Sequence, residues 1–158
     1  MTPILVLAIG NPLRGDDGVA QRVLEVLKGQ DLGIHVALVD AGTAGLEVAN
    51  LLRGWQMVII VDAIDCAAPA GTVRCITLDV ERIRSVPVWP NALHSAGLFE
   101  ALALAEALGV LPERLTLVGV QPGNLDYVDT LTPEVQAAVP LAVDAVRAVI
   151  NDYKAQQN

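Results

Sequence analysis

Short aliphatic runs alternate with helix-spaced apolar positions along the whole chain. Ile4–Ile9 is apolar at every position and halts at Gly10, which predicts a strand buried on both faces. Val19, Val23, Val26 and Leu27 recur at helical spacing, with Gly29 as the stop. A second strand is expected over His35–Val39, closed by Asp40, then a short helix over Leu46–Arg53, stopped by Gly54. Met57–Val61 predicts a third strand that stops at Asp62. Thr72–Leu78 alternates, with Arg74 among apolar residues, and reads as an edge strand. Asp79–Asn91 carries Pro87 and Pro90 and reads mostly as loop. Leu98, Leu102, Ala105 and Leu108 mark a third helix ended by Gly109, and Leu115–Val120 a fifth strand. The last helix starts at Thr132-Pro133-Glu134, which combines an N-cap, a first-turn proline and an early carboxylate. Val135, Val139, Ala142, Val146 and Val149 form its inward face, and Pro140 is expected to kink it.

Strands that alternate with helices imply right-handed crossovers and a mainly parallel sheet. The expected fold is α/β: a three-layer sandwich with a twisted five-stranded sheet and helices on both faces. Residues 1–158 suit one domain with one sizeable core. Apolar residues make up 53% and charged residues 18% of the chain, which excludes a disordered polypeptide. The apolar runs are too short to cross a bilayer. Ten Lys and Arg against 18 Asp and Glu leave a net charge of −8, which argues against nucleic acid and an anionic membrane as partners. Two Trp, two Tyr and one Phe are too few for base-stacking platforms. The N-terminus lacks a signal-peptide pattern, and Cys66 and Cys75 form no CxxC pair. These features read as a cytoplasmic, monomeric protein with two reduced, buried or half-buried thiols.

Acidic clusters follow the first three strands. These are Gly10-Asn11-Pro12-Leu13-Arg14-Gly15-Asp16-Asp17-Gly18, Asp40-Ala41-Gly42-Thr43-Ala44-Gly45 and Asp62-Ala63-Ile64-Asp65. Asn91 to Ser95, with His94 just before the third helix, makes a fourth contribution. The carboxyl ends of parallel strands are where such sheets bind ligands. Gly10, Gly15 and Gly18 do not match GxGxxG, and paired aspartates would repel a pyrophosphate, so nucleotide binding is the weaker reading. Asp16 and Asp17 compete for one helix N-terminus, and one of them suffices there. Asp62, directly after an apolar strand, needs a partner or a cation, although a backbone-bonded turn is an alternative for it as for Asp40 and Asp65. His35 reads as a strand histidine without polar company, and His94 alone would read as a capping or core residue. Asp17, Asp62 and His94 together make a three-ligand set with open positions for a divalent transition ion.

The first of these segments resembles the N-terminal signature of the hydrogenase maturation endopeptidases, which trim the C-terminal extension of the large subunit of nickel-iron hydrogenases. The similarity continues through Asp40–Gly45, Ile59–Ala63, Pro90–His94, Leu115–Pro122 and Leu131–Val135. The resemblance implies the same layered fold and an endopeptidase that acts on the large-subunit precursor after nickel insertion. It implies that Asp17, Asp62 and His94 take the metal-contact positions, and that Asp40, Gly42 and Thr43 belong to a loop concerned with substrate choice. It further implies that the nickel belongs to the precursor and serves as a recognition mark, with no permanently bound cofactor. Asp16 and Asp40 are the candidates for a general base, and water activation by the metal is the other route. A non-catalytic nickel-binding chaperone on the same rim, and a broader metal-dependent peptidase, are the remaining readings. Ser95 lacks a nucleophile-elbow motif, and no base is expected beside Cys66.

Overall fold

Ten main elements follow one another in the computed structural model, which describes residues 3–85 and 96–158. They are β1 (Ile4–Ile9), α1 (Val19–Lys28), β2 (Val36–Gly42), α2 (Val48–Leu51), β3 (Met57–Ala63), β4 (Val73–Thr77), α3 (Val80–Arg84), α4 (Ala96–Ala107), β5 (Arg114–Val120) and α5 (Pro133–Gln156). The five strands form one sheet in the order β2-β1-β3-β5-β4. All neighbours are parallel except β4, which pairs antiparallel with β5 at the edge.

Pleat alternation sorts the apolar strand residues into two cores. Ile4, Val6, Ala8, Ile59 and Val61 pack against α1 and α5 on one face. Leu5, Leu7, Val58 and Ile60 pack against α2, α3 and α4 on the other. Burial on both faces explains why β1 and β3 read as unbroken aliphatic runs. The expected three-layer α/β architecture is the observed one.

Several boundaries differ from the expectation, each for a physical reason. β2 and β3 run past Val39 and Val61 to include Asp40 and Asp62. Ladder pairing depends on the backbone, and Asp62 stays in register with Gly119. Asp79–Arg84 is not loop: Asp79 accepts from the Arg82 N–H at 2.8 Å and starts α3, which buries Ile83. The prolines that suggested a loop come after this helix, at positions 87 and 90, outside the described residues. On α1 the stripe uses Leu24 instead of Val26, which is 42% exposed, and Leu108 lies beyond the end of α4 at 52% exposure. α5 runs uninterrupted through Pro140. The residue lies on the exposed side, where water can take the carbonyl that the ring leaves unbonded. Cys66 is half-buried, whereas Cys75 is exposed because β4 is an edge strand.

The chain leaves β1 for β2 on one side and returns across it to β3 on the other. That reversal opens a crevice beyond the carboxyl ends of β1 and β3, to whose lining α4 contributes Gly97 and Leu98. Leu102 of the same helix is fully buried in the core on that side. Leu102→Ala is expected to cost roughly 2–5 kcal/mol by cavity formation. A lowered urea midpoint with an unchanged slope is the check.

Candidate functional site

β1 delivers the chain into a tight loop that only glycine permits at two points. Gly10 has φ +149°, and a Cβ there would stand 2.0 Å from the Asp17 carbonyl oxygen. Gly15 has φ +54°, and its Cβ would stand 2.5 Å from the Asn124 carbonyl oxygen. These two close approaches, and not a nucleotide-binding role, account for glycine at positions 10 and 15.

Between them the adjacent aspartates do opposite things. The Asp16 residue is fully buried. Its carboxylate accepts from the backbone N–H groups of Gly123, Asn124 and Thr132 at 2.7, 2.9 and 2.7 Å, and from the Thr132 hydroxyl at 2.8 Å. The Asp16 and Gly15 N–H groups donate in return to the Asn124 and Val128 carbonyls. Burial pushes the Asp16 carboxyl up, but the hydrogen bonds from Thr132, Asn124 and Gly123 outweigh it and hold the group below its ordinary value. With its acceptor capacity spent on the loop after β5, Asp16 is poorly suited to the general-base role expected of it. Thr132 takes the N-cap position of α5, yet its hydroxyl serves Asp16 rather than the helix.

Asp17 points the other way, into a cavity of about 180 Å³ at the crevice between β1 and β3. Its lining includes Gly10, Asp17, Gly42, Thr43, Asp62 and Leu98. Asp17 accepts from the Asn11 N–H at 2.8 Å, which fixes its carboxylate. Asp62 continues the face of Val58 and Ile60 and is only 2% exposed. Its Oδ2 is buried without a hydrogen-bond partner among the described residues. Burial, reinforced by the negative charge of Asp17, drives the Asp62 carboxyl well above the usual carboxylate range, with only the Ala63 backbone opposing. Of the three aspartates for which a backbone-bonded turn was an alternative, Asp62 is the one with this orphaned oxygen. Asp40 accepts from Gly42 N–H at 2.9 Å and from the Gln21 amide at 3.1 Å, and Asp65 accepts from Ala67 N–H at 3.0 Å.

A buried carboxylate facing a second carboxylate is relieved by a cation or by taking up a proton. His94, the third residue expected here, lies outside the described residues, as does Ser95. Gly97 and Leu98, just after it in the chain, line the same cavity. Among the described residues no group of three His, Cys, Asp or Glu side chains converges for a metal. Gly42 and Thr43 join Asp17 and Asp62 in the lining, whereas Asp40 borders a neighbouring groove with Gln21, Glu25 and Asp129. Sequence reasoning missed Gln21, which donates both to the Gly10 carbonyl at 2.9 Å and to Asp40, and so ties the first loop to the second. It also missed Gln121, whose Oε1 accepts from Cys66 N–H at 2.7 Å and pins the loop after β3. Neither glutamine has a local pattern that announces a partner so distant in sequence.

Two substitutions separate these roles. Asp16→Ala strands three part-buried N–H groups and a hydroxyl, and is expected to cost roughly 3–5 kcal/mol. Because the folded-state pKa of Asp16 is depressed, that contribution exists above the unfolded carboxylate pKa and disappears as pH falls through the folded one. Urea titrations of both proteins from neutral to acid pH read the shrinking difference. Asp62 carries the opposite sign. Its raised pKa makes the folded state lose stability as pH climbs from the unfolded value through the folded one. Asp62→Asn is therefore expected to melt higher than the parent by an amount that grows with pH, up to roughly 1–3 kcal/mol. Thermal melts across the pH range are the check.

The family model for hydrogenase maturation proteases matches residues 21–149. The hydrogenase expression/formation protein HupD of Rhizobium leguminosarum is 35% identical over 156 residues, covering 95% of this chain and 75% of that one. The hydrogenase 2 maturation protease of Escherichia coli is 35% identical over 153 residues, covering 94% and 91%. Among solved structures, the hydrogenase maturating endopeptidase HybD from Escherichia coli superposes with a TM-score of 0.85 at 32% identity, covering 96% of this chain and 94% of that one. With the family model spanning most of the chain and the sheet order carrying the same fold, this protein belongs to the hydrogenase maturation protease family and is a peptidase.

Proposed function

We propose that this peptidase removes the C-terminal extension of a nickel-iron hydrogenase large-subunit precursor once nickel is in place, and that the precursor's nickel is the mark it reads. The observation that carries this reading is the Asp62 carboxylate, buried, with its Oδ2 unpartnered among the described residues and the negative charge of Asp17 acting on it. A group in that state favours a ligand that arrives with positive charge, and a metal held by the substrate is such a ligand. The names of the relatives supply the hydrogenase; Asp17 and Asp62, with His94 as the third contact, supply the nickel reading. Gly42 and Thr43 line the same cavity, which supports their reading as residues that meet the polypeptide beside the metal.

Asp40 is the remaining carboxylate candidate for activating water. It is exposed, and its Oδ1 alone is engaged. Asp16 has no comparable freedom. The nickel, being cargo of the substrate, implies no resident cofactor. The proposed enzyme works on its precursor as a monomer in the cytoplasm; among the described residues no helix is long and apolar enough to cross a membrane.

Nickel-loaded and nickel-free precursors, incubated with the protein and followed by intact mass, test the reading. Trimming is expected of the loaded form alone. His94→Ala is expected to slow it by about 100-fold or more with an unchanged melting temperature. Equal trimming of nickel-free precursor would remove the metal mark from the proposal and leave a peptidase of other selectivity.

A further inference from the structure

β2 is an edge strand, and the structure treats its edge differently from the opposite one. The Ile4 N–H donates to the His35 carbonyl at 2.9 Å. The parallel ladder then turns the backbone groups of Ala37 and Val39 toward β1, and those of Leu38 and Asp40 off the sheet. β2 has no proline, and its one charged residue, Asp40, stands toward its cavity end, so Val36–Val39 lacks the usual guards of an open edge. β4, at the far edge, has the exposed Arg74 and Thr77 in five residues. A bulge where Ala8–Ile9 faces Asp40–Gly42 ends the pairing of β2 and turns the chain into Gly42 and Thr43, which line the Asp17–Asp62 cavity. Leu38 and Gly42 are four residues apart, about 13 Å along a strand.

We propose that the open edge of β2 is the docking surface for the substrate polypeptide, which adds to the sheet as an extra strand and is thereby led into the cavity. The proposal rests on the reading of the protein as a processing peptidase. The outward backbone donors and acceptors of Leu38 and Asp40, unpaired among the described residues, supply the backbone pairing, and extended peptide is the one conformation that matches their spacing. A second copy of this chain is a poorer occupant. Each copy carries a charge of −8, and the groove beside Asp40 holds Glu25 and Asp129 against the single cation of Arg22.

Leu38→Pro removes the outward-pointing donor and leaves the inward ladder to β1 in place, while Leu38→Ala shortens the side chain and keeps the donor. With nickel-loaded precursor, Leu38→Pro is expected to raise KM about tenfold or more with little change in kcat, and Leu38→Ala to leave both near the parent. A folded Leu38→Pro protein with unchanged KM overturns the proposal. Hydrogen exchange on the unaltered protein, pulsed with excess nickel-loaded precursor, covers the case in which the variant does not fold. The Leu38 and Asp40 amides are expected to gain protection while β4 does not, and trimming without protection at β2 overturns the docking surface. Protection that rises with protein concentration in the absence of precursor would assign the edge to a second copy and overturn it too. If no precursor is trimmed by the parent protein, the processing function itself fails, an outcome distinct from intact trimming with an idle edge.

Discussion

The Asp16 carboxylate, sealed from water and saturated by the loop between β5 and α5, is the constraint on which the site's geometry rests. A buried carboxylate without donors would be too costly to keep, and here three N–H groups and a hydroxyl surround it. The clasp joins the first loop of the chain to a segment more than a hundred residues later. With the loop anchored at Asp16, Asp17 is left to face the crevice, where the carbonyl of the same residue is wedged against Gly10. Two chemically identical neighbours are thus divided between holding the fold and facing the ligand.

The division has an electrostatic counterpart. Hydrogen bonds overcome burial at Asp16 and hold its carboxyl low, while at Asp62 burial wins and the Asp17 charge adds to it. The first group is stable as an anion with no further partner. The second is an anion only at a cost, and a cation brought by a partner relieves that cost.

Much of the architecture was legible because local rules decided it. β1, β3 and β5 are aliphatic runs bounded by punctuation, and the parallel sheet that buries them on both faces demands that pattern. The ends of elements were less legible. Asp40 and Asp62 looked like stop signals, but the ladder continues through both, since polarity of a side chain does not break backbone pairing. Asp79 held an N-cap signal that the later prolines obscured. Within the site, the acidic clusters were visible, together with their convergence at the carboxyl edge. The long-range bonds of Thr132, Gln21 and Gln121 were not, because a hydrogen bond across a hundred or even eleven residues leaves no trace in spacing.

By itself the sequence determined the class of fold, the family resemblance and the handful of carboxylates worth attention, since periodicity and motif order are local properties that need no contacts to be read. Only the tertiary structure decided which carboxylate does which work. Asp16 and Asp17 are adjacent in the chain, and Asp40, Asp62 and Asp65 all follow or end apolar strands, so no local pattern ranks them. Their roles depend on what lies across the fold: a loop full of donors for Asp16, a turn for Asp40 and Asp65, and for Asp62 a dry wall with one like charge in front of it.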